Sequence, residues 1–69
     1  NLQYRAANEG KVEIELLDLM GRTLQAFTDQ AVSGSNAFQL ETSQLPEGTY
    51  LIRLTQNDQQ HVERAVISR

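Results

Sequence analysis

His61 is the only histidine in this 69-residue chain, and imidazole is the side chain best suited to proton transfer or metal ligation near neutral pH. It opens an alternating stretch beside an Asn57-Asp58 turn signal, a setting that predicts a solvated side chain. Glu13 and Glu15 stand two apart, so on an extended strand they project from one face about 7 Å apart. That is the spacing of a carboxylate pair, but it is also the ordinary pattern of a solvated outer face, which is the reading adopted. Ser33, Ser35, Ser43 and Ser68 have no adjacent base, and turn chemistry accounts for the first three. Asp18, Asp29 and Asp58 fall at turns without the dense oxygen-ligand spacing of a calcium loop. No glycine pattern that cradles phosphate is present. Catalysis needs titratable groups gathered in a pocket. The chain offers no such set, no metal cluster and no cofactor motif, and it reads as a non-enzyme.

Length and composition narrow the classes further. Sixty-nine residues make one small domain, and a chain of this size buries roughly 60% of the surface its unfolded form exposes. With no cysteine, a disulfide scaffold and a Cys-ligated zinc module are excluded. Nine acids against six Lys and Arg give a formal charge of −3, and no basic patch interleaves with aromatics, so nucleic-acid binding has no electrostatic footprint. No apolar run is long enough for a membrane-spanning helix. The opening residues, Asn1-Leu2-Gln3-Tyr4-Arg5, lack the apolar stretch of a signal peptide.

These residues must be positioned by strands. Gly10, Gly21, Gly34 and Gly48 separate alternating runs, and Asn57-Asp58 supplies a fifth break; such spacing suits the short strands of an all-β sandwich. Six runs alternate or nearly so: Leu2 to Ala6, Val12 to Leu16, Thr23 to Thr28, Phe38 to Glu41, Tyr50 to Leu54, and His61 to Ser68. The third is ambiguous, because Leu24 and Ala26 share one face while Phe27 takes the other. The last breaks its alternation at Ala65-Val66-Ile67, which predicts a bulge. Strands with one apolar face must bury it against a second sheet. The expectation is an all-β, immunoglobulin-like antiparallel sandwich of six to seven short strands.

The segment Leu45-Pro46-Glu47-Gly48-Thr49-Tyr50-Leu51-Ile52-Arg53-Leu54 is the most informative. Pro46 suits the second position of a turn, and Gly48 suits a position where a side chain would be strained. Tyr50, Ile52 and Leu54 then share a face, with Arg53 and Thr55 on the other. Tyr50 is expected in the core with its hydroxyl on a backbone partner. Asp18 and Gly21 fit the first and fourth positions of a type I turn, and Arg22 starts the next strand in solvent.

Three motifs in order carry a family resemblance: Val12-x-Ile14-x-Leu16-x-Asp18-x-x-Gly21-Arg22, then Leu45-x-x-Gly48-x-Tyr50-x-Ile52-x-Leu54, then Arg64-Ala65-Val66-Ile67-Ser68-Arg69. Together they resemble the C-terminal sorting domain of type IX secretion substrates over nearly the whole chain. Two features depart from the family pattern. The Asn-Pro-containing opening strand usual in the family does not precede Asn1, and Arg64 stands where lysine is usual, which keeps the charge but changes the contact geometry.

The resemblance implies a recognition module at the end of a larger cargo, such as a protease or adhesin. An outer-membrane translocon would recognise it in the periplasm. A sortase-like cell-surface peptidase would then cut upstream of Asn1 and join the cargo to a lipopolysaccharide anchor. The motif residues that would carry recognition are Asp18, Gly21, Arg22, Leu45, Gly48, Tyr50, Arg64, Val66, Ile67 and Arg69. The competing reading is an immunoglobulin- or fibronectin-like binding or spacer module, for which Tyr4, Phe27, Phe38 and Tyr50 make a thin aromatic platform. With the opening strand absent, an unpaired sheet edge would invite strand exchange into a homodimer, unless the Leu2 to Ala6 run covers it.

Overall fold

The computed structural model describes residues 2–68, and among them every regular element is a strand. In chain order these are β1 (Leu2–Ala6), β2 (Gly10–Leu17), β3 (Thr23–Ala31), β4 (Gly34–Phe38), β5 (Gly48–Gln56) and β6 (Gln59–Ile67). All pairings are antiparallel, in a four-stranded sheet of order β3-β2-β5-β6 and a two-stranded sheet of β1 and β4. The chain crosses from one sheet to the other after β1, after β3 and after β4. The result is a small β-sandwich with six strands, as the alternation predicts.

The core follows from the period of two. Val12, Ile14 and Leu16 point inward from β2, at 2%, 0% and 2% exposure, while Lys11 and Glu13 face solvent. On β5 the inward set is Tyr50, Ile52 and Leu54, and β1 adds Leu2, Tyr4 and Ala6 from the other sheet. Phe27 of β3 and Phe38 of β4 meet across the sheets with ring centroids 5.4 Å apart and planes inclined at 52°, a tilted geometry that the aromatic quadrupole favours.

Four local expectations need correction. The bulge lies in β3, not at Ala65 to Ile67. Leu16 pairs with Gln25 but Leu17 pairs with Thr23, leaving Leu24 as the extra residue. That insertion resolves the ambiguity of the third run, because it sends Leu24 outward and lets Gln25, Phe27 and Asp29 turn toward the core. Ala65, Val66 and Ile67 pair in unbroken register with Tyr50, Thr49 and Gly48; the alternation looked broken only because Val66 is an outward-facing apolar residue.

The fourth strand is Gly34–Phe38, earlier than the Phe38 to Glu41 alternation suggests. Its partner β1 ends the pairing at Leu2 and Phe38, so Leu40 packs against the core from outside the ladder. The hydrogen-bonded turn before β5 is Thr42–Leu45, with Leu45 N–H donating to the Thr42 carbonyl at 3.0 Å. Pro46 follows this turn instead of occupying its second position. A residue before proline is held in an extended conformation, which ends the turn at Leu45.

Asp29, expected at a turn, sits within β3. Its Oδ2 accepts the Tyr4 hydroxyl at 2.7 Å and so ties the two sheets together. Burial first, then the bond to and the charge of Asp29, push the Tyr4 hydroxyl up to about 12. A folded-state value raised above the ordinary tyrosine value of 10.0 gives stability that is complete below pH 10 and lost as pH rises toward 12. Tyr4→Phe should therefore be less stable than the parent at neutral pH, and the difference should shrink between pH 10 and about 12. Urea midpoints across that range check it, and a pH-independent difference would show that the hydroxyl contributes nothing through ionisation.

Gly48 opens β5 at φ +153°, with no atom within 4 Å of a built Cβ. The glycine is there for its backbone and not for space. Gly48→Val should cost about 1–3 kcal/mol, as residues forced into sparsely populated backbone regions do. In a domain of this size each kcal/mol lowers Tm by about 4–8 °C, so an unchanged melting curve would contradict the assigned conformation.

Candidate recognition surface

The three motifs, far apart in the chain, meet at one end of the four-stranded sheet. β2 runs toward this end and finishes at Leu17, which pairs with Leu51 near the start of β5. Gly48, the first residue of β5, pairs with Ile67, the last of β6. The Asp18-to-Arg22 turn therefore stands beside the beginning of the Gly48-to-Leu54 strand and the end of the Arg64-to-Ile67 segment. Arg69, the last of the sequence-predicted residues, lies outside the described residues.

Asp18 organises its turn almost alone. Its carbonyl accepts Gly21 N–H at 3.0 Å, and its own N–H donates to the Arg22 carbonyl at 3.0 Å. Its Oδ1 accepts the Met20 and Arg22 amides at 2.9 Å each, and its Oδ2 takes Arg22 Nε at 2.7 Å. These contacts, with the Arg22 amide foremost, hold the Asp18 carboxyl below the usual carboxylate range. Gly21 closes the turn at φ +89°, a left-handed conformation glycine adopts without strain. Arg22 is thus a partner of Asp18 as well as a solvated side chain, 76% exposed against 19% for Asp18.

The second motif is mostly buried. Leu45 is half-buried against the core, and Tyr50 is 8% exposed. The Tyr50 hydroxyl donates to the Pro46 carbonyl at 2.6 Å. A tyrosine at a strand start bonding back to backbone a few residues upstream is a recurrent corner lock of β-sandwiches. In the third motif, Ile67 packs against the core, whereas Val66 is 70% exposed and Arg64 is exposed.

The candidate residues therefore separate by accessibility. Asp18, Gly21, Leu45, Gly48, Tyr50 and Ile67 shape the fold, while Arg22, Arg64 and Val66 are open to a partner. Sequence reasoning missed Leu19 and Met20, which sit at the tip of the Asp18 turn at 63% and 82% exposure. Their signal was present: two large apolar residues occupy turn positions that polar residues usually fill.

The groups considered for chemistry are dispersed. Glu15 accepts Arg53 Nε at 2.8 Å and Thr23 Oγ1 at 3.4 Å on the outer face, and the Arg53 hydrogen bond lowers its carboxyl. Glu13 stays exposed between Thr28 and Thr55, so the two carboxylates do not work as a pair. His61 is exposed, with Nε2 2.9 Å from Glu63 Oε1. Both line an open trough of about 540 Å³ between β1 and β6, over Tyr4, Val12 and Leu54. Among the described residues no group of three or more His, Cys, Asp or Glu could hold a metal ion. Among the same residues no helix is long and apolar enough to cross a membrane.

No curated protein and no solved structure matches the chain. One family does: the secretion system C-terminal sorting domain matches residues 1–68, a span that includes all three converging motifs. The chain belongs to that family, and is a type IX secretion sorting signal, a non-catalytic address that marks its protein for the cell surface or the extracellular space.

Proposed function

We propose that residues 1–69 form one sorting domain whose address is read, in the periplasm, at the sandwich end where its three motifs meet. The single observation behind this reading is that convergence: segments separated along the chain share one end of one sheet. The outer-membrane translocon is the reader. It contacts Arg22, Arg64 and Val66 together with the turn tip at Leu19 and Met20. Asp18, Gly21, Leu45, Gly48, Tyr50 and Ile67 hold those groups in place, and Arg69 extends the same motif. A sortase-like peptidase then cuts upstream of Asn1 and transfers the cargo, a protease, adhesin or other surface protein, to a lipopolysaccharide anchor. The cargo's own activity is separate from this domain.

A reporter fused ahead of the domain and its natural upstream residues, in a host with the type IX machinery, tests this reading. The intact fusion should reach the surface. Deleting Ile67, Ser68 and Arg69 removes the rung opposite Gly48 and should trap the reporter in the periplasm. Met20→Asp, at an exposed tip, should leave stability within about 0.5 kcal/mol yet lower export. Export of the truncated fusion at the parent level would remove the main support for the reading.

A strand-exchanged homodimer belongs to the same proposal. Among the described residues β1 pairs along one edge, with β4, leaving the trough between its other edge and β6 open. Exchange of β1 between copies would preserve the bond from Tyr4 to Asp29. Light scattering should then show the mass rising from monomer to dimer with concentration, and a monomeric mass at millimolar protein would contradict it.

A further inference from the structure

An open sandwich leaves strand edges whose N–H and C=O groups have no ladder partner, and natural sheets make such edges poor templates by shortening or bulging them. The edges here belong to β1 and β4 in one sheet and to β3 and β6 in the other. β1 and β4 are five residues each, and β3 carries the Leu24 bulge. β6 is neither short nor bulged, and its edge is marked only by the charges of Glu63 and Arg64. It runs nine residues without proline, in continuous register with β5.

Along its outward face stand Val62, Arg64 and Val66, the valines 53% and 70% exposed. Arg64 makes no ion pair among the described residues. Its row continues through Leu51 to Leu17, so a single free cation sits in apolar surroundings beside an open backbone edge.

We propose that β6 is a docking edge, to which a strand of the secretion machinery adds with a carboxylate opposite Arg64 and β-branched apolar side chains opposite Val62 and Val66. The inference rests on the sorting function and specifies how the partner is recognised. Added strands bind through backbone hydrogen bonds and are selected through alternate side chains, and cross-strand pairs of opposite charge or of β-branched residues are the favourable ones. On its other face the added strand overhangs the trough lined by His61 and Glu63, which leaves room for polar side chains.

The charge pattern of β6 argues against a second copy as the occupant. In two-fold antiparallel self-pairing, the register of full overlap sets Glu63 against Glu63. Sliding one way sets Arg64 against Arg64, and like charges directly opposite are unfavourable. Sliding the other way, to centre on Val62, sets His61 against Glu63 with no like-charge contact, but leaves Val66 beyond the paired segment. A strand of different sequence can match Val62, Arg64 and Val66 at once.

Two capped peptides test the proposal against the isotope-labelled domain by NMR. One has the core Val-Thr-Glu-Thr-Val and the other Val-Thr-Lys-Thr-Val, both with polar flanks. The glutamate peptide should shift amide signals from Val62 to Val66 and bind about fivefold tighter than the lysine peptide, from the cross-strand pair. Arg64→Glu, at an exposed and unpaired site, should keep the remaining spectrum and reverse that order. Equal binding of the two peptides, shifts confined to another strand, absence of shifts, or β6 shifts on raising protein concentration alone would each overturn the proposal.

The reporter fusion separates this proposal from the sorting function. If the parent domain exports the reporter and Arg64→Glu exports it equally well, the docking edge is wrong and the sorting function stands. If the parent domain fails to export, the sorting reading has failed, and the peptide titration alone decides whether β6 is a docking edge.

Discussion

Val12, Ile14 and Leu16 lie almost wholly out of water because β2 is paired on both sides, with β3 and with β5, while its inner face meets the second sheet. The register is strongly constrained by that position. Slipping β2 by one residue would carry Glu13 and Glu15 into the apolar interior and Ile14 out of it. Among the described residues no polar or charged residue is buried as a whole, although Gln25 Oε1 lies out of water without a hydrogen-bond partner. From this one strand the neighbours follow: Ile14 faces Phe27 on one side and Leu54 on the other, and the closing turn at Asp18 is placed where β2 runs out.

The alternation of Val12 to Leu16 and of Tyr50 to Leu54 was legible because period two is a local property of the chain. Strand limits and the bulge were not, because they are set by partners. The ladder of β1 and β4 ends at Leu2 and Phe38, and nothing near Phe38 in sequence announces that. Leu24 is an extra residue only relative to β2, so its run looked ambiguous in isolation. Val66 misled for a related reason: an outward valine on an edge strand cannot be told from an inward one by type. The lock between Tyr50 and Pro46 was foreseeable from a buried aromatic just after a turn, whereas the partnership of Tyr4 and Asp29 spans the two sheets and left no local trace.

The same distinction applies to the proposed recognition surface. Its motifs were visible as a family pattern, but that pattern mixes residues that make the fold with residues that can be touched. Gly21 and Gly48 are required by backbone geometry, Asp18 by the amides it satisfies, and Tyr50 and Ile67 by packing. A pattern of this kind is largely a description of how one end of a sheet is built. The exposed remainder, Arg22, Arg64 and Val66 with Leu19 and Met20, becomes a surface only once β2, β5 and β6 lie side by side.

The pairing of β2 with β5 also has a consequence for synthesis. Chains emerge from the ribosome N-terminal end first, and contacts distant in sequence form late because their loop-closure entropy comes first. β2 cannot acquire its second neighbour until β5 has been made, and β5 in turn is closed by β6 at the end of the domain. A cargo truncated anywhere upstream would carry no trace of the address. One interrupted between β2 and β5 would carry an open sheet with its central strand half paired. The order of strands thus leaves the address incomplete until β6 has been made.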